Sequence, residues 1–135
     1  MAQKVSEIGS LNLAYLGDSV YELFLREDAV KNHSGSVNAL NKRTGEFTKA
    51  VTQAKIADIL TGKDDEECFL TDEEVAVFKR GRNAKGASIP KSATPSEYRK
   101  ATGLEALMGY LYLMGQKDRI EQIINYGIAK YKEKK

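Results

Sequence analysis

The stretch Leu13-Ala14-Tyr15-Leu16-Gly17-Asp18-Ser19-Val20-Tyr21-Glu22 constrains this chain more than any other. Its apolar residues Leu13, Leu16 and Val20, continued by Leu23 and Phe24, recur at three- and four-residue steps, the period that gathers them on one side of a helix and makes that side core. The pattern predicts a helix over about 10–32. Asp18 falls outside the stripe and shares a face with Glu22, one turn further on. It directly follows Gly17, a residue that destabilises a helix interior by roughly 1 kcal/mol relative to Ala. A glycine is expected there where another backbone or a ligand comes close to the acid. Two readings of the acids stay open: a solvated pair with Glu22 joined to Arg26 at i+4, or carboxylates serving a site.

Far downstream, Leu104-Glu105-Ala106-Leu107-Met108-Gly109-Tyr110-Leu111-Tyr112-Leu113 is the other informative stretch. Pro95 before it and Gly115 after it bound a helix over about 96–113. Leu104, Leu107, Met108, Leu111 and Tyr112 make an apolar surface too wide for a single buried face, and Gly103 and Gly109 permit another helix to approach. Glu105 is embedded in this apolar surface, where an ionised carboxylate needs a partner or a metal.

The intervening chain reads as further helices. Residues 32–36 form a turn by composition, and His33, the only histidine, reads as a solvated surface group. Residues 37–60 keep a broken helical period, read as two helices or one helix kinked near Gly45, with Lys42, Arg43, Lys49 and Lys55 on a solvated face or, alternatively, meeting phosphate. Asp64, Asp65, Glu66 and Glu67 lack the spacing of a calcium loop and read as a solvated approach to a helix. Thr71 and Glu74 form a capping box for that helix, whose apolar face is Val75, Ala76 and Phe78 and which fades near Gly81. A last helix over about 117–130 buries Ile120, Ile123, Ile124 and Ile128, followed by a frayed basic tail.

Formal net charge is only +2, so a polyanionic partner must be argued from charge distribution. That distribution is lopsided between Lys79 and Lys100, where Lys79, Arg80, Arg82, Lys85, Lys91, Arg99 and Lys100 face the single acid Glu97. Gly81, Gly86, Pro90 and Pro95 interrupt regular structure, and Asn83, Ser88, Ser92 and Thr94 add polar donors. A basic loop of this kind suits contacts to nucleic-acid phosphates, the assignment made for Lys79, Arg80, Arg82, Asn83, Lys85, Lys91, Arg99 and Lys100. A length of 135 residues with 41% hydrophobic content suits one domain over 1–135 with its own core. The single cysteine, Cys68, excludes an internal disulfide and reads as a small buried hydrophobe. No signal-like start and no membrane-length apolar run is present, which places the expected chain in the cytoplasm, away from membranes. No phosphate-loop motif and no histidine or cysteine near the two acidic stretches supports nucleotide hydrolysis or nucleophilic-residue catalysis.

Leu16-Gly17-Asp18-Ser19-Val20, with Tyr15 before it, resembles the signature helix of the ribonuclease III catalytic domain. Leu104–Leu113, roughly ninety residues further on, resembles that family's second acidic helix. Lys79-Arg80-Gly81-Arg82-Asn83-Ala84 resembles a segment of its short bacterial subfamily, which has the catalytic domain without a double-stranded-RNA-binding domain. The resemblance implies an all-α ribonuclease III-like fold in which the Asp18 and Glu105 helices pack together, working as a homodimer. It also implies an endoribonuclease that cuts double-stranded RNA to 5′-phosphate ends, using Mg²⁺ or substitute Mn²⁺. The implied substrate is precursor 23S ribosomal RNA, with a ribosomal protein or the pre-ribosome as a further partner. Asp18 and Glu105 match the family's metal-binding and catalytic carboxylates. Ala14, Leu11 and Thr102 stand where full-length members have further acids, and Glu22 is placed to compensate on the metal or to pair with Arg26. The competing reading is a catalytically silent, dimeric RNA-binding or ribosome-associated module of the same fold.

Overall fold

The computed structural model describes residues 4–63, 67–86, 89 and 91–135. Asp64, Asp65 and Glu66 of the acidic run, Ser88 and Pro90 of the basic segment, and the start Met1-Ala2-Gln3 lie outside the described residues. A short 3-10 turn, Val5–Glu7, leads into six helices: α1 Ser10–Asn32, α2 Val37–Thr48, α3 Ala50–Thr61, α4 Asp72–Arg82, α5 Pro95–Leu113 and α6 Lys117–Glu133. Among the described residues there is no strand, as the all-α expectation required.

Local chemistry sets most helix ends. The Ser36 hydroxyl accepts the Ala39 N–H at the start of α2. Thr71 with Glu74, and Thr94 with Glu97, form complete capping boxes for α4 and α5, and Pro95 stands in the first turn of α5. Gly62, at φ 78°, closes α3 in the left-handed conformation that glycine adopts without strain. The break between α2 and α3 falls at Lys49, which is extended at φ −67° and ψ 139°. It does not fall at Gly45, which is an interior residue of α2. The capping preferences of neighbouring residues say nothing about Lys49; the fold places the bend there so that both Phe47 and the Ala54–Leu60 face reach the core.

Helix α5 is the hub. It packs most extensively on α1, then on α4 and α3, and more lightly on α6. Leu104, Ala106, Leu107, Met108 and Leu111 are all buried, so most of its apolar surface is consumed within one chain, whereas Tyr112 of the expected surface is exposed near the helix end. Gly103 receives α4 rather than α1, since a Cβ there would meet the Phe78 carbonyl oxygen at 2.7 Å. On α1 the buried residues are Leu13, Ala14, Gly17, Val20, Tyr21, Leu25 and Ala29. Leu23 is 58% exposed, contrary to the stripe read from periodicity, because α5 docks on Gly17 and rotates the buried face toward Tyr21.

Three other expectations give way. Cys68 is exposed, since its neighbours anchor the α3–α4 connection instead: Phe69 stacks on Tyr126 and Leu70 is buried. Val77, absent from the expected α4 face, is buried with Phe78, while Val75 and Ala76 are half-buried. The tail is not frayed at Tyr131, which is buried, packs its ring edge against Phe47 and donates to Glu46 at 3.2 Å. Unforeseen, too, was the buried ion pair of Glu74 and Arg119, at 2.8 Å, which ties α4 to α6.

Candidate active site

The two acidic stretches meet where α1 and α5 cross, and glycine makes the crossing possible. A Cβ on Gly17 would lie 1.6 Å from the Glu105 carbonyl oxygen, and one on Gly109 would lie 2.1 Å from the Leu13 carbonyl oxygen. Real Cβ atoms never come so close, so only backbone against backbone fits here. Asp18 follows one of these glycines and Glu105 precedes the other, and their carboxyl groups share a hydrogen bond. Asp18 is exposed while Glu105 is half-buried.

This placement changes the chemistry of Glu105. Its pKa is pushed up to about 8, by burial first and then by the hydrogen bond to Asp18 and the charge of Asp18; a hydrogen bond from Gln53 acts the other way. Near neutral pH the Glu105 carboxyl group therefore keeps its proton. Beneath it lies Tyr21, fully buried, donating to the Phe47 carbonyl at 2.8 Å; burial and then the Glu105 charge push its pKa upward.

Glu22 does not join the pair. Its carboxylate binds Arg26 at 2.9 Å, the other of its two readings, and among the described residues no three of His, Cys, Asp and Glu gather as a metal cluster. Of the positions where the acidic set is reduced, Ala14 is buried and Thr102 donates its hydroxyl to the Tyr98 carbonyl at 3.0 Å.

The basic segment is less of a loop than expected. Lys79, Arg80 and Arg82 occupy the last turn of α4, and Arg99 and Lys100 lie on α5, leaving Asn83, Lys85 and Lys91 between helices. A hollow of about 410 Å³ is lined by Arg82, Asn83, Lys85 and Arg99 together with Leu11 and Thr102. A second, of about 640 Å³, is lined by Lys79, Arg80, Asn83 and Lys85 with Leu11 and Asn12. Leu11 is two turns before Asp18 and Thr102 one turn before Glu105, so the first hollow lies along the same α1/α5 edge as the acid pair, while the second lies between the start of α1 and the end of α4. Lys91 is exposed but lines neither hollow. The Lys100 ammonium is held by Asp58 at 2.9 Å and is only 19% exposed, so it is engaged within the fold.

The residue that sequence reasoning missed is Gln53. Its signal was present, because Gln53 shares the i, i+3, i+4, i+7 stripe of Ile56, Ala57 and Leu60, and a polar group on a core stripe calls for a partner.

A helical fold centred on one buried helix, with an acid pair on the crossing and cationic hollows beside it, defines the ribonuclease III class of catalytic domain. The ribonuclease III domain family matches residues 11–116. The chain is 40% identical to the Mini-ribonuclease 3 of Clostridium tetani, over 97% of this chain and 83% of that protein. It is 39% identical to the Mini-ribonuclease 3 of Enterococcus faecalis, over 94% and 93% respectively. A crystal structure of a Fusobacterium nucleatum protein superposes with a TM-score of 0.79 at 30% identity, covering 96% of this chain and 98% of that one. The chain belongs to the ribonuclease III family, in its Mini-ribonuclease 3 branch, and is an endoribonuclease. No described helix is long and apolar enough to cross a membrane.

Proposed function

We propose that the chain cleaves double-stranded RNA with Mg²⁺, that Asp18 and Glu105 are its catalytic, metal-holding carboxylates, and that it works as a homodimer. The observation that carries the reading is the carboxyl pair itself, drawn together from two helices over glycine. Loss of the Glu105 proton leaves two like charges in contact with one of them half-buried, an arrangement that a small divalent cation relieves. Carboxylate oxygens are hard ligands and suit Mg²⁺, with Mn²⁺ as a substitute. When bound, the cation lowers the pKa of water and offsets charge building on the phosphate. The chain's own part is to hold Asp18 and Glu105 in register and to bring RNA along the adjoining edge. Lys79, Arg80, Arg82, Asn83, Lys85 and Arg99 line hollows there that fit phosphates, with exposed Lys91 beyond them. Hydrolysis would leave 5′-phosphate ends, and precursor 23S ribosomal RNA is the natural substrate that the family resemblance favours.

Asp18→Asn and Glu105→Gln test the assignment. Each keeps shape while removing a charge from the site, so single-turnover cleavage of duplex RNA is expected to fall by orders of magnitude. Duplex binding survives or tightens, because a negative charge near phosphate has gone. The double variant is expected to be scarcely slower than either single one, since groups acting together are not additive. Wild-type cleavage by Asp18→Asn would end the metal assignment.

A further inference from the structure

We propose that Gln53 is a positioning residue, whose side-chain amide fixes the orientation of the Glu105 carboxyl group; the inference rests on the reading of Glu105 as a metal-holding carboxylate. Three other buried polar side chains have evident structural duties. Thr44 and Thr102 donate to carbonyls one turn back, and Glu74 both caps α4 and binds Arg119. Gln53, only 3% exposed, instead reaches across from α3 to an acid on α5.

Its position is one that an apolar residue would ordinarily fill. Ile56, Ala57 and Leu60 share its stripe and are buried, and α3 packs firmly on α5. Placing an amide there sacrifices its hydration unless its hydrogen bonds are replaced. The carboxyl group of Glu105 is thereby suspended between two partners, Asp18 on α1 and Gln53 on α3. The Gln53 amide is fixed by its own burial on α3 and donates an N–H to the Glu105 carboxyl group, so it holds that group in one rotamer, the part that outer partners play for ligating groups.

Gln53→Met keeps length and burial but removes the donor. Mn²⁺ binding to the whole protein without RNA, followed by electron paramagnetic resonance, reads the effect directly. Gln53→Met is expected to weaken Mn²⁺ binding by roughly ten- to a hundredfold and to lower kcat, with duplex affinity unchanged. Adding it to Glu105→Gln is expected to weaken Mn²⁺ binding no further, because its action passes through Glu105. Ile56→Val, a packing change on the same stripe, should leave Mn²⁺ binding as in the wild type. Gln53→Leu replaces Gln53→Met if thermal melting shows the latter poorly folded. Wild-type Mn²⁺ affinity in Gln53→Met beside a loss in Glu105→Gln would overturn the role of Gln53 and spare that of Glu105. Additive losses in the double variant would also overturn it. Wild-type affinity in Glu105→Gln would instead remove the metal reading on which it rests.

Discussion

Glu105 holds its proton to about pH 8, whereas the same group in an unfolded chain releases it near pH 4.5. Between those values the folded chain binds the extra proton, so the metal-free protein is most stable, as far as this group goes, below about pH 4.5. Stability is then lost as pH rises toward 8. Glu105→Gln cannot ionise and is expected to flatten that slope. In urea melts with chelator present, the variant should exceed the wild type at pH 8 by at least about 1.4 kcal/mol, the equivalent of one pKa unit. Equal slopes would mean that Glu105 ionises freely in the folded chain. Of the proposed site residues, Asp18 and Glu105 were legible in the sequence, Asp18 directly after Gly17 and Glu105 between Gly103 and Gly109. Glu22 was ambiguous, because i+4 spacing places Arg26 and Asp18 equally within its reach, and the rotamer it adopts is chosen by the nearer opposite charge.

At the scale of elements, the α1/α5 crossing is the feature on which the acid pair depends. Gly17→Ala would drive a methyl group into the Glu105 backbone, and neither helix backbone can yield as a flexible side chain would. A loss of about 3 kcal/mol or more is expected, with the acids moved apart and cleavage impaired. Gly45→Ala provides the contrast. Gly45 is inside α2 with open space around its Cβ position, so alanine there is expected to stabilise by roughly 0.5–1 kcal/mol. Chemical denaturation of both variants checks the pair, and similar shifts would show that the crossing is looser than described. The ends of α1, α4 and α5 were legible because caps and breakers act within a few residues. The Lys49 break was not, since no local signal marks a bend imposed by the core on both sides of it.

For the whole molecule, the width of the apolar surface of α5 is spent, Tyr112 apart, on α1, α3, α4 and α6. A second copy would have to dock elsewhere. Tyr15 is 84% exposed on α1, three residues before Asp18, and tyrosine is among the residues enriched at protein interfaces. A two-fold dimer through this region would present one acid pair to each strand of a duplex. Sedimentation is expected to show a dimer for the wild type, burying more than about 1,200 Å² in total, and a shift to monomer for Tyr15→Glu. A wild-type monomer that cleaves duplex RNA fully at micromolar concentration would contradict the dimer.

By itself the sequence determined the helical class, the extents of α1 and α5, and the identity of the two acids, because periodicity, capping and glycine all act over a turn or two. Only tertiary structure decided which face of α1 turns inward, that Gly103 receives α4 and Gly17 receives α5, and that Lys100 is taken by Asp58. Only tertiary structure brought Gln53 to Glu105, 52 residues away in the chain. Those choices depend on how six helices share one core, and the energy of each contact exists only once the others are in place.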